Sequence, residues 1–437
     1  MELNNISGDF NMNFTISAQP SKYEYDVLVC GSGMGGISAA VAAAQNGLKV
    51  GIIEYFGEPG GIPVSGRLGS ISGFSRLNEV AVAGFARAFA NELLKRELAH
   101  EQGGGSNINL TPPALAGFIF EILEYYSIDF HSYTQLISCI KDGDRITHAV
   151  VANKSGISAI PAKIFVDATG DGDLAVMAGC PFKKGRESDG KVQSSTLVFI
   201  MGGIDLERLP SYMDVRKVWK SMERPVPIDH SVFQFVPHGS TTNEVAVNMT
   251  HVLNCDCTVP EDLTRIRKEA VKQAEYLVYE FFRKEIPGCE KAWISHYAPQ
   301  IGCRETRRIL GDYYLTEEEI KNYCHFEDDI AQSIWSIDIH TPDGIHRGCG
   351  HKLEKPYGIP YRCITPQGID NMYIAGRPIS IDHVAHSSSR INATCMAIGE
   401  AVGCAAQLAI AAGSTRKINV AELQKIVAAM NYGVFKA

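Results

Sequence analysis

The chain has 437 residues, enough for two or three domains at roughly 150 residues each. Its 45% hydrophobic and 21% charged residues are ordinary for a globular protein, and 41 Lys and Arg against 49 Asp and Glu leave a formal net charge of −8. With no long basic run, that balance argues against a nucleic-acid partner. The absence of 18 consecutive apolar residues argues against a membrane span.

Residues 1–21 are polar and rich in Asn and Ser, without the basic start and apolar centre of a secretory signal, so 1–22 is expected to be a disordered lead-in. The twelve cysteines are scattered, which reads as reduced thiols in a cytoplasmic protein. Cys255 and Cys257 lack further ligands at short spacing, so no metal is expected.

The first regular unit starts at Asp26. Residues 27–30 are an apolar run of buried-strand type, the Ala-rich stretch 37–45 reads as a helix ended by Asn46 and Gly47, and 48–53 is a second strand closing on Glu54. Between the first strand and the helix stand Gly31, Ser32, Gly33, Met34, Gly35 and Gly36. Gly31, Gly33 and Gly36 fit G-x-G-x-x-G: the first permits the tight turn, the second lets a pyrophosphate touch the backbone, and the third lets helix and strand pack closely. Glu54 follows Gly36 by 18 residues, the place for a carboxylate that accepts from a ribose diol, with Tyr55 beside it. Gly60 and Gly61 let the chain run close to the same ligand.

Helices are expected over 77–99 and 113–126, and strands over 130–140 and 146–153 with a turn at 141–144. Ile137, in the first of those strands, joins the cofactor-binding candidates. The strand 164–167 breaks into Ala168, Thr169, Gly170, Asp171, Gly172 and Asp173, a small-residue loop able to close over phosphates or adenine; the alternative is a simple acidic turn. From about Lys183 strand-like pieces (193–201, 231–235, 244–251) alternate with helices, the clearest at 261–284, so this stretch reads as a separate α+β domain to about Tyr357. A strand at 371–375 leads to Gly376 and Arg377, 390–412 reads as a long apolar helix, and 420–429 as the last.

These residues carry a resemblance. Gly31 to Gly36 with Glu54, Gly60–Gly61, the segment from Asp167 to Ala175, the segment from Cys303 to Tyr313, and Tyr357 to Arg362 leading to Ala375, Gly376 and Arg377 together resemble the FAD-dependent oxidoreductases related to the fumarate reductase flavoprotein and glutathione reductase folds. The likeness runs from about Tyr25 to Ala412. It implies an α/β fold: a Rossmann-like, glutathione reductase-type FAD-binding domain in two parts, 23–182 and 358–437, with an α+β substrate domain at 183–357 inserted between them. Such folds usually place an Asp after the closing glycine; here it is Arg377, which assigns a ribityl or phosphate contact to that guanidinium or to backbone N–H groups.

Within that frame the implied cofactor is FAD, and the expected activity is hydride transfer between a small polar metabolite, anionic or neutral, and flavin N5. The segment 387–390, read as opening the last long helix, would aim a helix N-terminus at the flavin, with Ser388 and Arg390 as contacts; an ordinary Ser N-cap is the alternative. His383 and His386 suit proton transfer or a structural loop contact. Arg304, Arg307 and Arg308 could clamp a carboxylate, Arg304 and Arg308 on one strand face and Arg307 on the other, or pair with Glu305 and Asp312. Asp338 and His340 share a strand face, and His340 joins the catalytic candidates. Tyr361 and Arg362 are weaker ones. The rivals are a flavin-dependent monooxygenase and, from another class, a flavin-carrying binding or RNA-modification partner. The oligomeric state is left open.

Overall fold

The computed structural model describes residues 18–102, 106–110, 112–222, 235–237, 243–342, 349–430 and 434–435. Tyr25–Cys30 runs parallel to Val50–Ile53, and the helix Met34–Gln45 crosses between them. Both strands are buried on both faces, which is why they read as unbroken apolar runs instead of alternating ones. Asp129–His131 adds in parallel on one side. On the other lies Gly156–Asp167, whose last residues pair with Tyr25–Cys30 and with Met372–Ile374, while its first half continues antiparallel into Arg145–Asn153 and Gln135–Asp142. Cys30, Ile53, Asp167 and Ile374 therefore end together at one edge of the sheet, where open α/β sheets place their ligands.

The helix Asn392–Ala412 packs on Met34–Gln45 through small residues: a Cβ at Gly399 or Gly403 would overlap the backbone of Gly35 or Ala39. This helix is long and apolar enough to cross a bilayer, a feature hidden from a search for unbroken apolar runs by Glu400 and Gln407; most of it is buried inside the protein. A second antiparallel sheet, in the order Phe235–Pro237, Val245–Val247, Phe199–Gly202, Trp293–Tyr297, carries its own apolar clusters. Phe199, Met201, Trp219, Phe281 and Phe282 are wholly buried there.

Several expectations need correction. The helix expected over 77–99 is only Gly84–Lys95, because Leu77 and Asn78 take positive φ (48° and 69°) and turn a short hairpin. The strand 130–140 is two strands, Asp129–His131 and Gln135–Asp142, at opposite edges of the sheet, broken by Tyr133 at φ 50°. The strand 193–201 shrinks to Phe199–Gly202, with Ser195 and Thr196 making isolated bridges to Val252 and Gly302. The expected helix 261–284 is Pro260–Tyr276 continued by a π-helical turn, Leu277–Phe282.

The helix 390–412 is two: His383–Ser389, then Asn392–Ala412 after Arg390 and Ile391. Residues 387–390 thus close a helix instead of opening one. The lead-in is ordered by its end, since Gln19–Pro20 pairs with Ser158 and Ala159, while residues 1–17 lie outside the described residues. So do 231–234 of an expected strand and 103–105 of a glycine-rich loop. Cys257 and Cys303, expected reduced, form a disulfide across 46 residues; scattered cysteines give no sign of which pair meets in space.

Candidate functional site

The glycines after Tyr25–Cys30 do three different things. Gly31 sits at φ 101°, and a Cβ there would strike the Ala168 carbonyl; Gly36 has room for none because Gly31 and Ala168 lie against it. Gly33 differs: it caps the helix with an ordinary φ of −62°, and a Cβ built on it meets nothing within 4 Å. Gly376, at φ 91°, is equally open. These open positions flank the N-terminus of Met34–Gln45, whose first N–H groups and dipole favour an anion. Met34 itself is buried.

Glu54 ends the second strand with its carboxylate already ordered. Oε2 accepts from the Ser32 backbone N–H at 2.8 Å and from the Ser32 hydroxyl at 2.5 Å, and Oε1 accepts from the Phe56 N–H at 2.8 Å. Tyr55 next to it is exposed. Gly60 donates its N–H to the Ser32 carbonyl at 2.8 Å, and Gly61 lies against the Gly33 backbone, so the second glycine pair folds directly onto the first. Opposite them, Ala168 donates to the Cys30 carbonyl, and Thr169 is held on Asp167 through its N–H (3.1 Å) and hydroxyl (2.7 Å). Asp167 is fully buried, and burial raises its carboxyl to about 6. Gly170, at φ 83°, approaches Arg377, whose Nη2 pairs with Asp171 at 2.6 Å while its buried Nη1 has no partner among the described residues. Ile137 is half-buried at a bulge in Gln135–Asp142.

The arginine segment splits into separate jobs. Arg308 is buried and spans Glu305, the Gly185 carbonyl (2.9 Å) and the Ile381 carbonyl (2.9 Å). Arg307 turns the other way, to Asp173 Oδ1 at 2.6 Å and the Asp171 carbonyl at 3.1 Å, and so braces the small-residue loop. Asp312, an expected partner, pairs with Arg416 instead. Arg304 donates to the Ser194 carbonyl at 2.9 Å. Tyr361 and Arg362 line another groove, where Arg362 pairs with Asp328.

His383 Nδ1 lies 2.9 Å from Glu305 Oε1, so it joins the Arg308–Glu305 group. His386 is fully buried, neither ring nitrogen has a partner among the described residues, and burial together with the charge of Arg390 holds its pKa well below the usual range. His340 Nε2 lies 3.2 Å from Asp338 Oδ2, and its backbone bonds to Ser194 and to the Gln193 side chain. Burial first, then Arg304, pull His340 down to about 3. Arg390 reaches the Asp338 carbonyl at 3.0 Å. Ser388, inside the first of the two C-terminal helices, donates to the Trp335 carbonyl and accepts from Tyr357.

The sequence reading missed four groups that this folding brings in. The His251 ring lies 5.9 Å from that of His340, centroid to centroid, tilted by 40°. Gln193 Nε2 and Trp335 Nε1 are buried without a partner among the described residues, as is Nε of Arg390, which the sequence had already offered. Arg67 is the fourth. None belongs to a motif; each is brought in by contacts distant in sequence, as Gln193 is through its backbone bond to Glu305 at 3.1 Å.

The sequence profile of the FAD dependent oxidoreductase family matches residues 26–427. No curated protein matches this chain. Among solved structures, a geranylgeranyl bacteriochlorophyll reductase-like protein from Thermoplasma acidophilum is similar at 13% identity and TM-score 0.46, covering 94% of each chain. The p-nitrophenol 4-monooxygenase PnpA from Pseudomonas putida is similar at 11% identity and TM-score 0.46, over 93% of this chain and 84% of that one. The anhydrotetracycline hydroxylase OxyS from Streptomyces rimosus is similar at 12% identity and TM-score 0.47, over 93% of this chain and 65% of that one.

Proposed function

The chain belongs to the FAD dependent oxidoreductase family, and from that premise we propose that it passes a hydride between a small polar metabolite, one able to carry negative charge, and FAD. It is an FAD-dependent enzyme, and the residues present fit the cofactor. The open faces of Gly33 and Gly376 leave room for a pyrophosphate at a helix N-terminus. Glu54 offers acceptors to a ribose, and the unpartnered Nη1 of Arg377 offers a donor to a phosphate or ribityl oxygen. When bound, FAD supplies the two-electron chemistry; the chain binds it, orients the metabolite and handles the proton. We place the FAD-binding domain at 23–182 and 358–437, in the manner of glutathione reductase, with the substrate domain at 183–357 between.

One observation carries the metabolite reading. Gln193 Nε2, Trp335 Nε1 and Arg390 Nε are buried donors without partners among the described residues, on segments tied together by hydrogen bonds from 193–194 to His340 and from Arg390 to Asp338. Leaving such a group unpaired costs about 1–3 kcal/mol, so three of them on adjoining segments suit a ligand rich in acceptors. His340, kept neutral by burial, offers the metabolite a hydrogen-bonding imidazole, with Asp338 orienting the ring. Arg304 stands beside it as a fixed positive charge.

An anaerobic screen of carboxylates, amines and hydroxylated metabolites, following loss of the oxidised-flavin colour, tests this. Bleaching by one class of anionic or hydroxylated compound is expected. Substrate-dependent oxygen consumption with oxygen incorporated into product would replace the proposal with a monooxygenase.

A further inference from the structure

Arg67 is half-buried, and none of the described residues pairs with its guanidinium. Its Nε and Nη1 are buried and make no hydrogen bond among the described residues. Buried donors left unpaired cost about 1–3 kcal/mol each, and they persist where a ligand supplies the missing acceptor.

The backbone adds an independent observation. Arg67 sits at φ 54°, a left-handed conformation that costs a side-chain-bearing residue about 1 kcal/mol or more, and glycine stands next to it at Gly66. The residue is held there by its N–H to the Val64 carbonyl at 3.2 Å, in the loop that begins with Gly60 and Gly61 against the dinucleotide turn.

The same loop touches the second sheet. The Ser65 carbonyl accepts from the Gln300 N–H at 3.0 Å, and Gln300 Oε1 is buried without a partner among the described residues. His296, on Trp293–Tyr297, lies within the field of Arg67: burial first, then that charge, hold its imidazole below the usual range, with Glu244 opposing. The neighbourhood therefore combines a guanidinium with free fork edges, an amide with free hydrogen-bonding capacity and a neutral imidazole.

We propose that Arg67, with Gln300 beside it, is the subsite that anchors a carboxylate of the substrate. A planar guanidinium matches the two oxygens of a carboxylate, and the Gln300 amide, turned to donate, adds a further bond. This deepens the metabolite-oxidation reading and rests on it, since it names the anionic group for which that reading left room. It also assigns anchoring to a residue other than Arg304 and Arg307, whose side chains already bond within the protein.

The test uses the FAD-loaded protein, wild type, Arg67→Met and Arg67→Lys, with succinate, acetate, inorganic phosphate and neutral succinamide as probes at matched ionic strength. Flavin content, thermal stability and probe affinity by calorimetry are read. Arg67→Met is expected to keep its flavin and to melt at or above the wild-type temperature, because it removes two unpaired buried donors. Succinate or acetate is expected to raise the wild-type Tm saturably, with affinity falling about 10- to 100-fold in Arg67→Met, less in Arg67→Lys, and with no effect of succinamide. Loss of flavin from Arg67→Met would assign the residue to the cofactor, and a large drop in its Tm would mean an internal partner. No carboxylate effect on wild type, an equal effect on both proteins, or tighter binding of phosphate than of either carboxylate would each overturn the proposal. All of these are read without turnover, so they stand or fall apart from the metabolite screen.

Discussion

Gly399, in the middle of the long C-terminal helix, lies on Gly35 so closely that a Cβ at 399 would overlap the Gly35 carbonyl oxygen. Gly35 is also within reach of Gly376, so the contact joins the dinucleotide turn, the last strand's exit and the C-terminal helix at one point. The far end of the sequence thereby sets the position of the helix whose N-terminus is proposed to meet the cofactor.

Gly399→Ala should therefore push the two helices apart. Overpacking of this kind costs on the order of 3 kcal/mol, and here it also displaces the cofactor turn. The apparent Tm should fall and FAD should bind more weakly. Gly117→Ala, on an exposed helical position with nothing within 4 Å, is the control and should stabilise by up to about 1 kcal/mol. Equal Tm values for Gly399→Ala and wild type would refute the close contact.

Glu400, the next residue, makes stability fall with rising pH. Burial raises its carboxyl from 4.5 to about 8, with only the Phe85 N–H opposing. The folded state thus holds the proton more tightly than the unfolded one. Its favourable contribution is complete below about pH 4.5 and is lost as pH rises to about 8, a change of a few kcal/mol. Glu400→Gln should match wild type near pH 5 and be the more stable protein at pH 9. Melting curves across that range check it, and parallel losses in both proteins would contradict it.

His340 works in the opposite sense. With its folded pKa near 3, the folded protein gives up the proton that the unfolded chain takes up below about 6.5, so stability from this group is full above 6.5 and drains away as pH falls toward 3. The same depression keeps the ring neutral at working pH. His340→Asn should lower kcat about 100-fold without moving an acid limb between pH 5 and 7. Loss of such a limb in the variant would show that the ring titrates there after all.

Cys257 and Cys303 close a loop of 46 residues beside Arg304. By chain entropy such a link contributes up to about 4 kcal/mol. Dithiothreitol should lower the Tm of wild type and leave Cys303→Ser unchanged. Ten of the twelve cysteines should react with a thiol reagent in denaturant without reductant; twelve would remove the bond from the account.

The strand, glycine turn, helix and strand proposed to bed FAD were legible because their physics is local. Gly31, Gly33, Gly36 and Glu54 lie within one strand, turn, helix and strand, and Gly31 and Gly36 need their residue type for a steric reason visible at that position. Helix breaks were less so: nothing between Ser389 and Asn392 is glycine or proline, and the three serines looked like a cap when they are the last turn of the preceding helix. The hairpin at Leu77 and Asn78 was hidden because Leu gives no warning of a positive φ. The proposed metabolite contacts were least legible. Gln193 reaches Glu305 and His340, and the Arg67 loop reaches Gln300, only through contacts spanning more than a hundred residues, and no spacing in the chain encodes those.

The most direct test of the whole account is FAD binding by Gly33→Ala. The backbone at Gly33 suits any residue and a Cβ there meets nothing within 4 Å of protein, so the folded chain alone should not register the change. Only a ligand lying on that turn would. The account predicts an apoprotein with wild-type Tm and an FAD affinity reduced at least about 100-fold by titration calorimetry. Unchanged affinity in a folded Gly33→Ala protein would contradict it.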